Sequence, residues 1–433
     1  MNITEAINNS LFFFGAGSSV DSGCKTSKQM LDSLRYLCSN KNKYLSEIEQ
    51  EALKFLFSCI YYHSQWRGFE NNCFSALEPN IEELALLIRR IQNRENFLPY
   101  PITGNWADKL VKLESEYKEN EGKETGSGLF ENLEHKLKTT LLPEWLQVTS
   151  TEQLNPLDLF FTEFSTTDFT LEVFTLNNDL VIEEHYSNQK ARPYRGFQSG
   201  EWRGFEVEPQ PEEFNRIKLY KLHGSLDWLR LTDSSIVERW KIDKSDETGI
   251  VDNIEYWKVD QDPFIIFGHG TKFFSIEPFF SLINNFKKQL TSRKYFFVIG
   301  YSFFDPYINN LMFQAILEAE RENKKVIIVN PSFAIPPLDL QKHFTDNGNF
   351  KIFDSSNSEA KSILTEYLST IQSNTFFSEI PEFNIKQIPI ESIYYINLKA
   401  KEFMEFVFSN KGEQLMKLLE EFEKEKESEL PFK

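Results

Sequence analysis

Tyr295-Phe296-Phe297-Val298-Ile299-Gly300-Tyr301-Ser302-Phe303-Phe304-Asp305 opens on five apolar residues and stops abruptly at a glycine. A run of that length, bounded by turn residues, predicts a buried strand. The residues from about Pro306 to Glu320 then carry a helical pattern, and a second apolar run stands at Val326 to Val329. Strand, helix and strand within about 35 residues make a βαβ unit, whose strands run parallel and whose crossover is right-handed. Two earlier runs have the same form. Ser10 to Phe14 leads into Gly15-Ala16-Gly17-Ser18-Ser19, and Leu171 to Leu176 leads into Asn177-Asn178-Asp179. Phe264 to Phe267 is a further expected strand. Nearly continuous apolar runs, rather than alternating ones, predict an α/β, Rossmann-like parallel sheet with helices on both faces.

Residues from about 29 to 168 read as a mainly helical insertion between the first two strands. Ile81, Leu84, Leu87, Ile88 and Ile91 mark one helical face, with Asn80 at the N-cap and Glu82 and Glu83 in the positive first turn. Leu45 to Ile60 is helical by pattern, and Gly122 to Gly128 reads as a loop. Helix signals return from about Ser356 to Lys433 and end in the charged stretch Glu420 to Glu429, either a solvated helix face or a docking helix. The expected organisation is a sheet-bearing domain over residues 1–355, insertion included, and a C-terminal helical extension over 356–433.

Composition excludes several classes. A chain of 433 residues, 40% hydrophobic and 26% charged, is neither disordered nor fibrous as a whole. Its 47 Lys and Arg against 65 Asp and Glu leave a net charge of −18, which argues against a broad phosphate-binding face, so no direct nucleic-acid binding is expected. The 41 Phe reflect either codon composition or buried interface surface. Cys24, Cys38, Cys59 and Cys73 include no CxxC pair, so neither a disulfide framework nor a zinc ribbon is expected, and no metal ligands are assigned. No apolar stretch reaches the roughly 18 residues of a membrane span, and no secretory signal is apparent, so a reducing cytoplasm is the expected compartment.

Ligands of open parallel sheets bind beyond the C-terminal strand ends, so the residues just after each run carry the chemistry. The Gly15 to Ser19 turn, with Ser22-Gly23 behind it, suits either a pyrophosphate-binding loop or a plain strand-to-helix turn, and lacks the full GxGxxG pattern. Asn177, Asn178 and Asp179 offer amides and a carboxylate for sugar hydroxyls or water, or simply turn the chain. In Lys221-Leu222-His223-Gly224-Ser225-Leu226-Asp227-Trp228, His223 sits at an expected strand end beside a glycine, placed for proton transfer if it is not structural. Gly300 to Asp305, with Asn309 and Asn330-Pro331 beyond, either lines the adenosine half of a nucleotide or forms a turn with an Asp N-cap.

Taken in order, GAGSS, TLNND, KLHGSLDW, IGYSFFDPYIN and IIVNPS resemble the sirtuin superfamily, specifically the sirtuin-like NADases of bacterial antiphage defence, over about residues 8 to 335. The resemblance implies a sirtuin/DHS-like NAD-binding fold in which Gly15, Ala16, Gly17 and Ser18 cradle the NAD pyrophosphate and Ser22 and Gly23 close the loop. It makes Asn177 and His223 the catalytic pair and places Asp179 as a brace of the pocket. Gly300, Tyr301, Ser302, Asp305, Asn309 and Asn330 then shape the adenosine side. Two departures separate this chain from deacylating sirtuins. Gly23 is followed by Cys24-Lys25-Thr26 instead of a Pro-x-Phe-Arg stretch, and the cysteines do not supply a four-Cys zinc module. The implied activity is hydrolysis of NAD to nicotinamide and ADP-ribose, with deacylation, ADP-ribosyl transfer or a non-catalytic NAD-sensing role as alternatives. The implied partners are a second copy of the chain or a co-encoded HerA-type ATPase, short Argonaute or nucleotide-pyrophosphatase-like subunit.

Overall fold

The computed structural model describes residues 2–70, 79–93, 107–120, 127–164, 169–187, 192–206, 214–239, 250–251, 254–255, 262–267, 276–318, 324–331, 340–347, 350–354, 357–373 and 393–428. The loop expected from Gly122 lies outside them up to residue 126, as do Cys73 and Glu429. Nine strands form one sheet: β1 (Ser10–Phe14), β2 (Leu171–Thr175), β3 (Arg192–Tyr194), β4 (Phe214–Lys221), β5 (Tyr295–Ile299), β6 (Lys325–Val329), β7 (Phe344–Asn347), β8 (Phe350–Phe353) and β9 (Ile393–Ile396). Their order is β7-β8-β9-β6-β5-β1-β2-β4-β3. Every pairing from β9 across to β3 is parallel, and β7 and β8 add an antiparallel hairpin at one edge.

β1, β5 and β6 are buried along their whole length. Alternation then sends successive side chains to opposite faces. Phe12, Phe14, Phe297 and Ile299 enter one core; Leu11, Phe13, Phe296 and Val298 enter the other. Phe12 stacks on Phe297 with ring centroids 5.1 Å apart, and Phe13 packs at 5.5 Å against Phe286 of the helix Phe279–Ser292. Burying such a ring contributes roughly 1.5–3 kcal/mol, so the phenylalanines of these strands supply much of what holds the two layers to the sheet.

One face is covered by helices of the insertion, among them Ser27–Ser39, Glu47–Glu70, Ile81–Gln92 and Leu129–Lys136, together with Ala400–Phe408 and Glu413–Ser428 from the C-terminal region. The other face carries Phe279–Ser292, Pro306–Glu318 and Ser358–Ser373. Asn80 caps its helix as expected, its Oδ1 accepting from the amides of Glu82 and Glu83. The region beyond residue 356 is helical but also supplies β9, whose short run Ile393-Tyr394-Tyr395-Ile396 lies parallel to β6 and forms an interior strand of the sheet. Phe264–Phe267 is a correction. It is extended and buried but joins no sheet; the Phe264 amide donates to Trp228 O and that of Ile266 to His223 O, each at 2.8 Å. An apolar run reports burial, and this one is buried by lying over the chain just beyond β4. No helix among the described residues is long and apolar enough to cross a membrane.

Candidate active site

The turns after β1 and β5 cross backbone to backbone. The amide of Gly15 donates to Ile299 O at 2.9 Å and that of Gly17 to Gly300 O at 2.8 Å. A Cβ on Gly15 would stand 2.5 Å from Tyr301 Cα, and one on Gly300, which has φ +63°, 2.5 Å from Ser18 N. These glycines therefore serve the close approach of two strand ends, and the amides of Gly15 and Gly17 are spent on it. Ala16 borders the cleft described below, and its amide makes no hydrogen bond among the described residues.

Asn177 is tied to the same loop. Its Nδ2 donates to Gly15 O and Ser19 Oγ, both at 3.0 Å, while its amide donates to Thr175 Oγ1, also at 3.0 Å. Asn178 faces the other way, donating through Nδ2 to His223 O at 2.9 Å and Gly224 O at 3.2 Å. Adjacent side chains in one turn thus join the glycine loop to the histidine loop. Asp179 is buried, and burial raises its carboxyl above the ordinary range against the opposing charge of Lys221. The buried Lys221 ammonium donates to Asp179 O and, at 2.9 Å, to Glu183 Oε1. Glu183 in turn lies 3.0 Å from Arg195, which also holds Asp227 at 2.9 Å. This chain of charges anchors both ends of the Lys221 to Trp228 stretch.

His223 stands just beyond β4 and is only 4% exposed. Its Nε2 is 3.1 Å from Asp305 Oδ2. The other oxygen of Asp305 accepts from the Ile308 amide at 2.9 Å and caps the helix Pro306–Glu318, so one carboxylate both starts a helix and pairs with a histidine. Around it, the Tyr301 hydroxyl donates to Asn309 Oδ1 at 2.9 Å, and Asn309 Nδ2 donates to Phe303 O at 2.7 Å. Burial by itself would lower the imidazole's proton affinity. The hydrogen bond and charge of Asp305, with a smaller contribution from Glu82, outweigh it and hold the pKa of His223 above 6.5.

These groups border one open cleft. Gly15, Ala16, Asn177 and Asp179 line it on the sheet side. His223, Tyr301, Ser302 and Asp305 line the same side. Gly17, Gly300 and Asn309 stand behind this wall and shape its turns. Ser18 faces a second cavity, which shares Asn177 and Asp179 with the first and is bordered by Gln153 and Lys401. Ser22 is fully buried, its carbonyl accepting from the Thr149 amide at 2.8 Å, and Asn330 bonds through its amide to Ile396 O at 3.1 Å; neither borders the cleft. Cys24, Lys25, Met30, Glu82 and Leu146 also line the cleft. Cys24 and Lys25 follow the glycine turn directly, whereas Met30, Glu82 and Leu146 are brought there by packing of the insertion, which no local pattern marks. Burial pushes the Cys24 thiol up to about 12, so it is not a ready nucleophile.

Residues 171–349 match the family model described as a SIR2-like domain. A search of the curated proteins found no match. Among solved structures, one reported under "The Structural basis of Sirtuin Substrate Affinity" overlaps with a TM-score of 0.29 at 14% identity, covering 77% of this chain and 88% of that one. A mutant of a Sir2 homologue in complex with ADP ribose overlaps with a TM-score of 0.34 at 12% identity, covering 97% and 98%. Both superpositions are loose. The span that resembles a SIR2-like domain, residues 171–349, contains Asn177, His223 and Asp305.

Proposed function

We propose that this protein is an NAD glycohydrolase that converts NAD and water to nicotinamide, ADP-ribose and a proton. The observation that carries this reading is the convergence of Asn177 and the His223–Asp305 pair on one cleft beside the glycine turn. The SIR2-like domain supports NAD as the substrate. The bond to be cut joins ribose C1′ to the nitrogen of a cationic ring. That ring leaves as neutral nicotinamide with the bonding pair, so departure needs no general acid. The demand falls on an oxocarbenium-like ribose and on delivery of water to C1′.

Asn177, locked by three donated hydrogen bonds, presents a fixed amide to the ribose and the incoming water. Neutral His223 accepts the water's proton as the new C–O bond forms, and Asp305 stabilises the imidazolium that results. The Gly23-Cys24-Lys25-Thr26 stretch, unlike the Pro-x-Phe-Arg of deacylating sirtuins, favours water over an acyl-lysine as acceptor. Incubation of the purified chain with NAD should release nicotinamide and free ADP-ribose. O-acetyl-ADP-ribose formed with an acetylated peptide, ADP-ribosylated protein, or NAD bound without turnover even with the co-encoded partner present would each overturn the assignment.

The proposal extends to a biological role, supported by the motif resemblance. NAD depletion would make this chain the effector of an antiphage defence acting in the cytoplasm. Such an enzyme must be restrained until needed, by homo-oligomerisation or by a co-encoded HerA-type ATPase, short Argonaute or nucleotide-pyrophosphatase-like subunit. Mass measurement in solution tests the restraint: a strict monomer, fully active without additions, counts against it.

A further inference from the structure

Glu82 enters the cleft from the insertion, on the first turn of the helix Ile81–Gln92. Asn80 Oδ1 fixes that turn by accepting from the Glu82 amide at 2.8 Å and the Glu83 amide at 3.0 Å. The Glu82 side chain is half-buried, and its carboxylate makes no hydrogen bond or ion pair among the described residues. A partly desolvated carboxylate without a partner is unfavourable unless a cation comes to its side. The cleft's own cations are otherwise engaged: Lys25 Nζ donates to Ser33 Oγ at 2.7 Å, and His223 is paired with Asp305.

In the reaction proposed above, the positive charge of the nicotinamide ring passes to the ribose as the C1′–N bond breaks. We propose that Glu82 is a further catalytic residue of this cleft, its carboxylate stabilising the oxocarbenium-like ribose as the C1′–N bond breaks. The inference rests on the NAD-cleavage reading and adds to it a residue from outside the SIR2-like span. Glu82 forms no bond and carries no proton in this step. The bonding pair still leaves with nicotinamide, and the water's proton still passes to His223. A preorganised carboxylate placed nearer the ribose than the nicotinamide ring favours the charge where it stands in the transition state over where it stands in the ground state, and so lowers the barrier more than it tightens substrate binding.

The test is Glu82→Gln, which keeps the side-chain shape and leaves the backbone bonds to Asn80 in place. The expected result is a kcat about 10- to 100-fold lower at the pH plateau, with KM for NAD and calorimetric affinity for ADP-ribose changed less than about 3-fold. The charged groups that line the cleft with His223 are Asp305, Glu82, Asp179 and Lys25, of which Asp305 and Glu82 act on it, so a pH profile is part of the measurement. A variant whose acid limb moves to lower pH while its plateau kcat stays at the wild-type value would show Glu82 acting only on His223, and would overturn the proposal. Unchanged kcat at every pH overturns it too, with NAD cleavage itself left standing. A wild-type chain that binds ADP-ribose but leaves NAD intact even with its co-encoded partner present removes the cleavage reading and the role of Glu82 together.

Discussion

The two walls of the cleft are held by different forces. On the sheet wall, main-chain hydrogen bonds between neighbouring strand ends set the geometry: Gly15 to Ile299, Gly17 to Gly300, Leu222 to Thr175. Such bonds have fixed lengths, so Asn177, His223 and Asp305 inherit their spacing from the sheet itself. On the insertion wall, Met30, Glu82 and Leu146 belong to helices placed by side-chain packing, with Met30, Leu84, Leu87, Leu133 and Leu146 all in one core. Packing fixes a helix less tightly than a ladder of strand bonds does. Under the proposed reaction, the difference is a division of labour, with proton transfer and water delivery assigned to the rigid wall and charge complementarity to the adjustable one.

The sharpest way to break this comparison is at the rigid wall. His223→Ala and Asn177→Ala should each lower NAD turnover by about 100-fold or more while circular dichroism stays native. Wild-type turnover in both would remove the sheet wall from the chemistry. Next in size is Gly300→Ala, which forces a left-handed φ on a residue with a Cβ and drives that Cβ toward Ser18 N; chemical denaturation should show a loss of about 3 kcal/mol. A loss under about 0.5 kcal/mol would mean that the crossing of the two turns is not rigid.

Asp305→Asn separates charge from structure, since Asn still caps the helix Pro306–Glu318. With its pKa held above 6.5, His223 must lose its proton before it can act as a base, so activity should rise with pH through a midpoint above that value. In Asp305→Asn that midpoint should move down, because burial then acts against less opposition. The stability effect has the opposite sense. A raised folded-state pKa adds stability that is fully present below the unfolded value of about 6.5 and is lost as the pH rises through the folded one. Denaturation midpoints compared across that window should show a slope in the wild type that is absent in the variant. The smallest effect belongs to the insertion wall: Asn80→Ala removes two cap bonds and should cost about 1 kcal/mol, with turnover falling less than in Glu82→Gln. A larger loss of turnover than of stability would show that the cap itself aims Glu82.

Much of the sheet wall was legible beforehand because its residues follow apolar runs directly, and strand ends are where a parallel sheet exposes polar groups. Gly15, Asn177, His223 and Asp305 could be singled out in this way. Ser22 and Asn330 belong to the same motifs yet sit behind or beside the cleft, since a motif gives sequence position and not the direction a side chain takes. Phe264–Phe267 showed the limit of apolar runs, which report burial without naming the partner. β9 showed the converse, a four-residue run too short to distinguish from its helical surroundings that nonetheless takes an interior place in the sheet.

The sequence by itself determined the parallel α/β sheet and the loops that carry Asn177 and His223, because both depend on local pattern: strand-length apolar runs ended by glycine, asparagine or histidine. Tertiary structure alone decided that Asp305 pairs with that histidine, that the amides of Gly15 and Gly17 are used to hold two strands together, and that Glu82 faces the cleft. Each of these joins segments far apart in the chain. Contacts of that kind are set by how helices and strands pack, and no short stretch of residues encodes them.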